Sequence, residues 1–194
     1  MATSYPITLP ATPKFVSSQF RLISHTTVHE SSLDKTQQVL ERSGARWAGS
    51  FSLPPMKRAT AASWIAALIS LRGRFGTFYI GDPDAASPRG TVSSSTVNGA
   101  SQTGHTLNVT MTGTLLAGDF FHFTSTARYH MVVEDQSGSG TLEIEPALRE
   151  SPANAEVLVW TNPRVEMRLV ADVTGWDADL LSIFGLSFAG IEAL

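Results

Sequence analysis

The stretch "ATAASWIAALISLRGRFGTFYIGDP" (residues 59–83) joins a helix pattern to a strand pattern. Its first half has apolar side chains at spacings of three and four, which predicts an amphipathic helix. We expect its N-cap at Thr60, or a start one turn earlier, and its end at Arg72 and Gly73. Arg72 suits the negative end of the helix dipole, and Gly73 can adopt a positive φ. The predicted buried stripe consists of Ala61, Trp64, Ile65, Leu68 and Leu71.

The glycines after this helix do not predict a phosphate-binding loop. In such loops the glycines precede a helix, so that free N–H groups and the positive end of the dipole face the anion. Here Gly73 and Gly76 follow the helix. The phrase "GTFYIGDP" (residues 76–83) predicts a short buried strand that ends in a turn at Gly81 to Pro83. We therefore interpret the stretch as a structural joint between a helix and a strand.

The residues before the helix predict an extended arm followed by strands. Residues 1–18 contain three prolines, which favour extended backbone. Gln19 to His29 predicts a strand with Phe20, Leu22 and Val28 on one face. The phrase "QQVLERSGARWAGSFSLP" (residues 37–54) predicts two strands about a hairpin-like turn at Ser43-Gly44. The second of them carries Trp47, Phe51 and Leu53 on one face.

After the joint, the chain predicts a separate small β-module. Residues 84–106 are poor in large apolar side chains and predict a connector with one short strand. Four alternating strands with regular turns follow, which favours a small antiparallel barrel or sandwich. Glu143 and Glu145 are expected to face solvent. The apolar sets are Leu107, Val109 and Met111; Phe121 and Phe123; Tyr129, Met131 and Val133; and Leu142 and Ile144.

The C-terminal residues predict a return to the first body. Strand patterns occur around Val157 and Val159 and again over residues 165–169. For the end we prefer a strand from Ser182 onward, with a helix over Asp177 to Phe184 as the alternative. The predicted fold class is mainly β: a β-sandwich with one packed α-helix, plus an inserted small antiparallel β-barrel or sandwich module. Residues 1–83 and 161–194 would form the sandwich, and 84–160 the insertion.

The composition excludes several functional classes. Only 16% of residues are charged, against roughly a quarter in ordinary domains, which fits a chain that hides surface in an assembly, although β-rich proteins share this trait. The net charge is −3 without a basic block, so no nucleic-acid binding is predicted. The chain has no cysteine, secretory signal or apolar run of membrane-spanning length.

Candidate catalytic and metal-binding groups are few. His25 and His29 would lie about 13 Å apart on a strand, too far for a shared metal. His122 and His130 could face each other across a hairpin, and we interpret them as solvent-facing. No Gly-x-Ser-x-Gly, Walker or Gly-x-Gly-x-x-Gly motif occurs. The sequence therefore predicts no enzyme, with no catalytic, cofactor-binding or metal-binding residues.

Five charged residues are candidates for contacts between subunits. Arg46, Arg72 and Arg74 could serve solubility, form salt bridges within the fold, or contact a neighbouring copy, since arginine is enriched at interfaces. Asp82 and Asp84 bracket a proline, and aspartates in such turns usually accept hydrogen bonds from local N–H groups. We keep all five as inter-subunit candidates and assign Trp47 and Trp64 to the core beneath the helix.

Two phrases carry a resemblance to a known family. "ERSGARWAGSFSLPPMKRATAASWIAALISLRGRFGTFYIGDPD" (residues 41–84) resembles the N-terminal region of distal tail proteins, the tail-tip hub proteins of long-tailed, siphovirus-like bacteriophages. The shared features are a strand with Trp47, a helix ending in a phrase like residues 71–74, a Gly-x-Phe strand and a Gly-Asp-Pro turn. "LLAGDFFHFTSTARYHMVVEDQSGSGTLEIEPALRESPANAE" (residues 115–156) is also similar to phage tail proteins.

The resemblance implies a structural protein of the virion, located in the tail tip or baseplate and assembled in the host cytoplasm. In that family a β-sandwich with one helix forms a ring, commonly a hexamer, that joins the tail tube protein to the central hub or fibre. An N-terminal arm and long loops contact neighbouring subunits. A second β-domain decorates the ring and in some members binds a host receptor or a fibre.

Two other functions stay open at this point. One is a carbohydrate- or receptor-binding module of a tail or surface assembly, with Phe121, Phe123, Tyr129 and Trp160 as candidate contacts. The other is a hydrolase of cell-wall polymer that would use Glu143.

Overall fold

The fold is mainly β, as the sequence predicts. The computed structural model describes residues 4–179 and 183–194, with 44% of residues in strands and 9% in helix. In chain order, the elements are β1 (Ile7–Thr8), β2 (Ser17–Ile23), β3 (Thr26–Glu30), β4 (Gln37–Glu41), β5 (Arg46–Ser52), β6 (Met56–Lys57), α1 (Arg58–Ser70), β7 (Phe78–Ile80), β8 (Ser94–Val97), β9 (Gly104–Thr112) and β10 (Thr114–Leu115). They continue with β11 (Phe120–Phe123), β12 (His130–Val132), β13 (Gln136–Ser137), β14 (Gly140–Leu148), β15 (Leu158–Val159), β16 (Val165–Leu169), β17 (Asp177–Ala178), β18 (Ile183–Gly185) and β19 (Ser187–Glu192).

The first body is a six-stranded sheet with α1 packed on it. The strand order is β1-β7-β16-β19-β5-β2, and β17-β18-β6 form a second, smaller sheet. The predicted start of a strand at Ser182 lies outside the described residues, but the described neighbours on both sides are strands rather than a helix. The body core holds the buried residues Trp47, Phe51, Leu53, Met56, Ala61, Trp64, Leu68, Leu71, Phe78, Ile80, Val165, Met167, Leu169 and Leu186, together with Tyr129 from the insertion.

The helix confirms its predicted stripe and the earlier of its two predicted starts, but it ends at Ser70, before the predicted Arg72 and Gly73. Its N-cap is Lys57, three residues before Thr60, and the Lys57 side chain makes no capping hydrogen bond. At the other end, Arg72 and Gly73 both have positive φ, 53° and 66°. The sequence assigned this conformation to Gly73 alone. A Cβ at Gly73 would lie 2.7 Å from Oδ1 of Asp172, so a larger residue there would have to displace this carboxylate.

The N-terminal strands form one long two-stranded ribbon, so the predicted hairpin turn at Ser43-Gly44 is wrong. β2 pairs with β5, and β3 pairs with β4, both antiparallel. The chain reverses at residues 31–36, where the Ser31 N–H donates to the Thr36 carbonyl at 2.9 Å. That turn uses the Ser31 and Asp34 side chains as acceptors and Lys35 at φ 60°. Residues 42–45 merely connect two halves of one ribbon edge.

The insertion is a nearly closed barrel-like sheet. Its strand order is β15-β11-β12-β14-β9-β8, and an isolated bridge between Thr96 and Val157 brings the two edge regions together. The predicted apolar sets on β9, β11 and β14 all lie in its core. Glu143 is exposed as predicted, and Glu145 is half-buried.

The predicted face of β12 is wrong. His130 and Val132 point into the barrel core, whereas Val133 is exposed. Tyr129 and Met131 instead face the first body and pack against its core. A strand buried on both faces has no polar side, so the alternation of its side chains does not tell which face belongs to which core.

The insertion leaves and re-enters the body through adjacent strands. Ile80 at the end of β7 pairs with Val165 at the start of β16. The two crossings touch each other, since the Asn162 N–H donates to the Ala86 carbonyl at 2.8 Å. The predicted boundaries at residues 84 and 160 fall within these crossings.

Candidate functional site

An aromatic cluster fixes the insertion to the body. Tyr129 is fully buried, and its ring stacks on Phe120 with centroids 4.7 Å apart. Trp47 meets both rings edge-on at 5.7 Å, and its Nε1 donates to the Tyr129 carbonyl at 2.7 Å. Trp47 is therefore buried as predicted, but at the junction of the two cores.

A buried carboxylate lies beside this cluster. Glu192 on β19 accepts a hydrogen bond from the Trp47 N–H at 3.0 Å and is 3% exposed. Arg128 and Arg149, both from the insertion, approach its carboxylate at 3.8 and 3.9 Å. Burial raises the pKa of Glu192, although the Trp47 N–H and the arginines act in the opposite sense. The junction thus combines aromatic packing with an ion cluster that spans both domains.

Sequence reasoning missed Glu192, although a signal exists. The residue shares its parity with the apolar residues Phe184, Leu186 and Phe188 of the same predicted strand. A carboxylate on an apolar strand face predicts a buried group that needs a cationic partner. The partners come from residues 128 and 149, whose distance in sequence hides the pairing.

Arg46 lies close to the junction. It is half-buried at the start of β5, and its positive charge acts on both Glu192 and Arg149. Of the three interpretations of Arg46, its surroundings therefore favour an electrostatic contact within the fold.

The other four predicted contact residues lie elsewhere. Asp82 accepts from the Asp84 N–H at 3.1 Å and begins a 3-10 turn, which is the local role expected of aspartate there. Arg74 lies 3.9 Å from the Asp172 carboxylate, and Arg72 is exposed just after α1. The structure brings Arg72 and Arg74 to one surface and places Asp82 and Asp84 on the crossing to the insertion.

The interpretation of His122 and His130 as solvent-facing is wrong, because both are buried. They do not face each other either, since His130 pairs with Phe121 in the register of β11 and β12. His130 Nδ1 lies 2.8 Å from the Pro146 carbonyl, and His122 Nδ1 accepts from the Arg164 N–H at 3.3 Å. Burial lowers the pKa of each imidazole to about 4.

These two histidines predict that acid destabilises the fold. The unfolded chain protonates them below about pH 6.5, whereas the native chain keeps them neutral down to about pH 4. From pH 7.5 to 5 we expect each to lower the free energy of unfolding by on the order of 1–2 kcal/mol. Glu192, with its raised pKa, acts in the opposite sense.

Urea titrations at both pH values would test this expectation. His130→Gln should lose its share of the pH dependence, whereas His29→Gln, on an exposed residue, should retain all of it. An equal pH dependence in the wild type and His130→Gln would contradict the assignment.

A third histidine, His105, lies between two carboxylates. Its Nδ1 is 3.0 Å from Glu145 and its Nε2 is 3.4 Å from Glu41. Because the carboxylates flank opposite nitrogens of the ring, they do not converge on one metal position. Within residues 4–179 and 183–194, no three His, Cys, Asp or Glu side chains are grouped as a metal ion would require.

The distal hairpin, which we define as residues 26–41, stands away from both cores. Every residue of β4 is exposed, and Leu33 near the turn is 95% exposed. Val28 and Val39 form a cross-strand pair with 54% and 63% exposure. By strand alternation, Glu30 and Glu41 lie on the same face as these valines. The hairpin therefore presents an apolar and acidic face.

A second exposed apolar region lies where α1 ends. We call it the helix-end surface and define it by Ile69, Arg72, Arg74, Phe75 and Val173. Phe75 is 69% and Val173 83% exposed. The Arg74 N–H donates to the Asp172 carboxylate at 3.0 Å, which joins the two chain segments. Beside them lies a cavity of about 170 Å³, which is lined by Leu68, residues 169–171 and 173–175, and residues 187–189.

The aromatic residues proposed for sugar contacts are mostly inaccessible. Phe121, Phe123 and Tyr129 are buried, and Trp160 packs half-buried against the barrel core. The three buried rings have no face left to stack on a ligand.

No protein-family model matches the chain, and a search of curated proteins finds no significant match. Among the described residues, no helix has the length and apolar character needed to cross a bilayer.

Proposed function

We propose that this protein is a structural, non-enzymatic component of a bacteriophage tail tip. In this proposal copies of the chain form a closed ring, with six subunits, that joins the tail tube to the central hub or fibre of the virion. The inserted barrel decorates the ring. The proposal extends the resemblance of residues 41–84 and 115–156 to distal tail proteins.

The observation that carries the assembly part is the distal hairpin. A two-stranded hairpin without a packed face is marginally stable in water. This one exposes Val28, Leu33 and Val39 and lies on neither core. Such a hairpin gains stability when a partner covers its apolar face.

The free sheet edge supports the same proposal. Among the described residues, the large sheet ends at β2, whose seven residues pair on one side only, with β5. An exposed edge strand of this length presents unpaired N–H and C=O groups to another chain. The low charged fraction of the chain agrees with surface that is covered in an assembly.

Mass photometry and negative-stain electron microscopy of the purified chain would test the proposal. We expect closed rings of uniform size. A variant in which an Asn-Gly turn replaces residues 26–41 should unfold at a similar urea concentration but stay monomeric, because the removed residues contribute to neither core.

A chain that remains monomeric at high protein concentration would contradict the ring. Rings formed equally well without residues 26–41 would show that the hairpin is dispensable for assembly. Location of the chain in purified phage particles by electron microscopy would test the tail-tip part independently.

A further inference from the structure

We propose that the distal hairpin of one copy binds the helix-end surface of a second copy. This inference rests on the proposed self-assembly and names the two surfaces that meet. It places Val28 and Val39 of one chain against Phe75 and Val173 of its neighbour.

The two surfaces lie too far apart to meet within one chain. β5 starts at Arg46, next to the base of the hairpin. β16 runs parallel to β5, since both are antiparallel to β19, and it ends at Leu169 beside the helix-end surface. Gly190 pairs with both Leu169 and Gly49, so these two residues are level in the sheet. The β3–β4 pair continues the β2–β5 ladder, and Val39 lies ten residues before Gly49, a span of about 30 Å along the strands. Each surface therefore needs a partner from another molecule.

The two surfaces are complementary in charge. The hairpin carries Glu30, Asp34 and Glu41 against one cation, Lys35. Residues 68–75 and 168–175, which include and border the helix-end surface, carry Arg72, Arg74 and Arg168 against one anion, Asp172. Arg168 holds the backbone of this surface in place, because its Nη1 donates to the Arg74 carbonyl at 2.9 Å.

Among the described residues, the local ion pairs involve neither Arg72 nor Asp34, whereas Glu41 lies 3.4 Å from His105. Lys35 pairs with Glu30 at 3.0 Å, and Asp172 lies 3.9 Å from Arg74. Hydrogen bonds from Ser31 and Thr36 lower the pKa of Asp34, so its carboxylate stays ionised at neutral pH. The acidic side chains around the two valines of the distal hairpin are therefore complementary in charge to the arginines around Phe75 and Val173.

This contact is heterologous, because it joins different surfaces on the two copies. Repeated head to tail, such a contact produces either a closed ring or an open filament, depending on the rotation between neighbours. One contact type is therefore sufficient to build the ring of the proposed function.

Cysteine cross-linking would test the contact directly, because the natural chain contains no cysteine. The double variant Val39→Cys/Val173→Cys should form a ladder of disulfide-linked oligomers under mild oxidation. Each single variant should stop at a dimer. The matched pair Gln38→Cys/Val173→Cys, with its first thiol on the opposite face of β4, should cross-link at least tenfold more slowly.

A charge substitution provides the second measurement. Val39→Asp should raise the concentration needed for assembly at least tenfold, while Gln38→Asp, which adds the same charge to the other face, should change it less than threefold. Circular dichroism would verify that both variants are folded.

The possible outcomes distinguish a failure of the proposed hairpin contact from a failure of the proposed ring. Rings that form without the Val39–Val173 ladder, and with equal effects of the two aspartates, would overturn this contact and leave the proposed function standing. A specific ladder in filaments without closed rings would support the contact and contradict the ring. A monomer without cross-links would contradict both.

Discussion

Replacing Trp64 by alanine is expected to lower the free energy of unfolding by about 3–5 kcal/mol. Trp64 is 1% exposed and is the largest fully buried side chain of α1. Its ring meets Phe15 edge-on at 5.6 Å and lies 6.2 Å from Phe188, so truncation leaves a cavity between the helix and the sheet. A loss of this size is a large part of the 5–15 kcal/mol that stabilises a typical domain.

The same substitution should release the N-terminal arm. Trp64 Nε1 donates to the Thr12 carbonyl at 2.9 Å, which ties residues before β2 to the helix. We therefore expect faster proteolysis of residues 4–16 in Trp64→Ala even under conditions where most of the chain is folded.

The matched control is Trp176→Ala, which removes the same side chain from an exposed position. It should cost less than 1 kcal/mol in urea unfolding. If Trp64→Ala were as stable as the wild type and failed only in assembly, the assignment of Trp64 to the core would be wrong.

Replacing Glu192 by alanine is expected to cost about 2–4 kcal/mol. The substitution leaves the Trp47 N–H without its acceptor and leaves Arg128 and Arg149 without their buried counter-charge. Because these guanidinium groups are partly exposed, water offsets some of the loss. The remaining loss of stability weakens the contact between the body and the insertion. The two crossings to the insertion should therefore become sensitive to limited proteolysis.

Two variants distinguish the charge from the hydrogen bond. Glu192→Gln keeps an acceptor for the Trp47 N–H and should cost less than alanine. Glu150→Ala removes an exposed carboxylate 3.7 Å from the same Arg128 and should change stability by less than 1 kcal/mol. Equal effects of Glu192→Ala and Glu150→Ala would contradict a special role for the buried group.

The sequence predicted the helix and most strands because their signals are local. The spacing of apolar residues from Ala61 to Leu71 predicts the helix, and the alternation of Leu107, Val109 and Met111 predicts a strand. Burial on one side of an element reproduces these patterns directly. The mainly β fold with one packed helix could therefore be predicted from the sequence.

The misplaced hairpin turn has a physical reason. Ser43-Gly44 has the composition of a turn, but the chain reverses at residues 31–36 without any glycine, through side-chain acceptors and the positive φ of Lys35. Which of two polar segments reverses depends on strand pairing, which is a non-local property. For this reason the pairing of β3 with β4 in the distal hairpin could not be predicted from the sequence.

The candidate surfaces were predictable only in part. Arg72 and Arg74 were identified as contact candidates, and they lie on the helix-end surface. Their apolar neighbour Val173 comes from the segment after β16, and only the folded chain joins the two segments through Asp172. The junction likewise depends on contacts between residues 47, 129 and 192.

Because the two crossings between the domains lie side by side, the inserted barrel can be replaced by another domain. Because Ile80 and Val165 are paired neighbours, a short turn or another module with closely spaced termini fits between them without moving either strand. Such a graft must fill the space that Tyr129 occupies beside Trp47 and supply a cation for Glu192. The body can therefore accept other inserted domains, provided that each one places an aromatic residue and a positive charge where it contacts the junction.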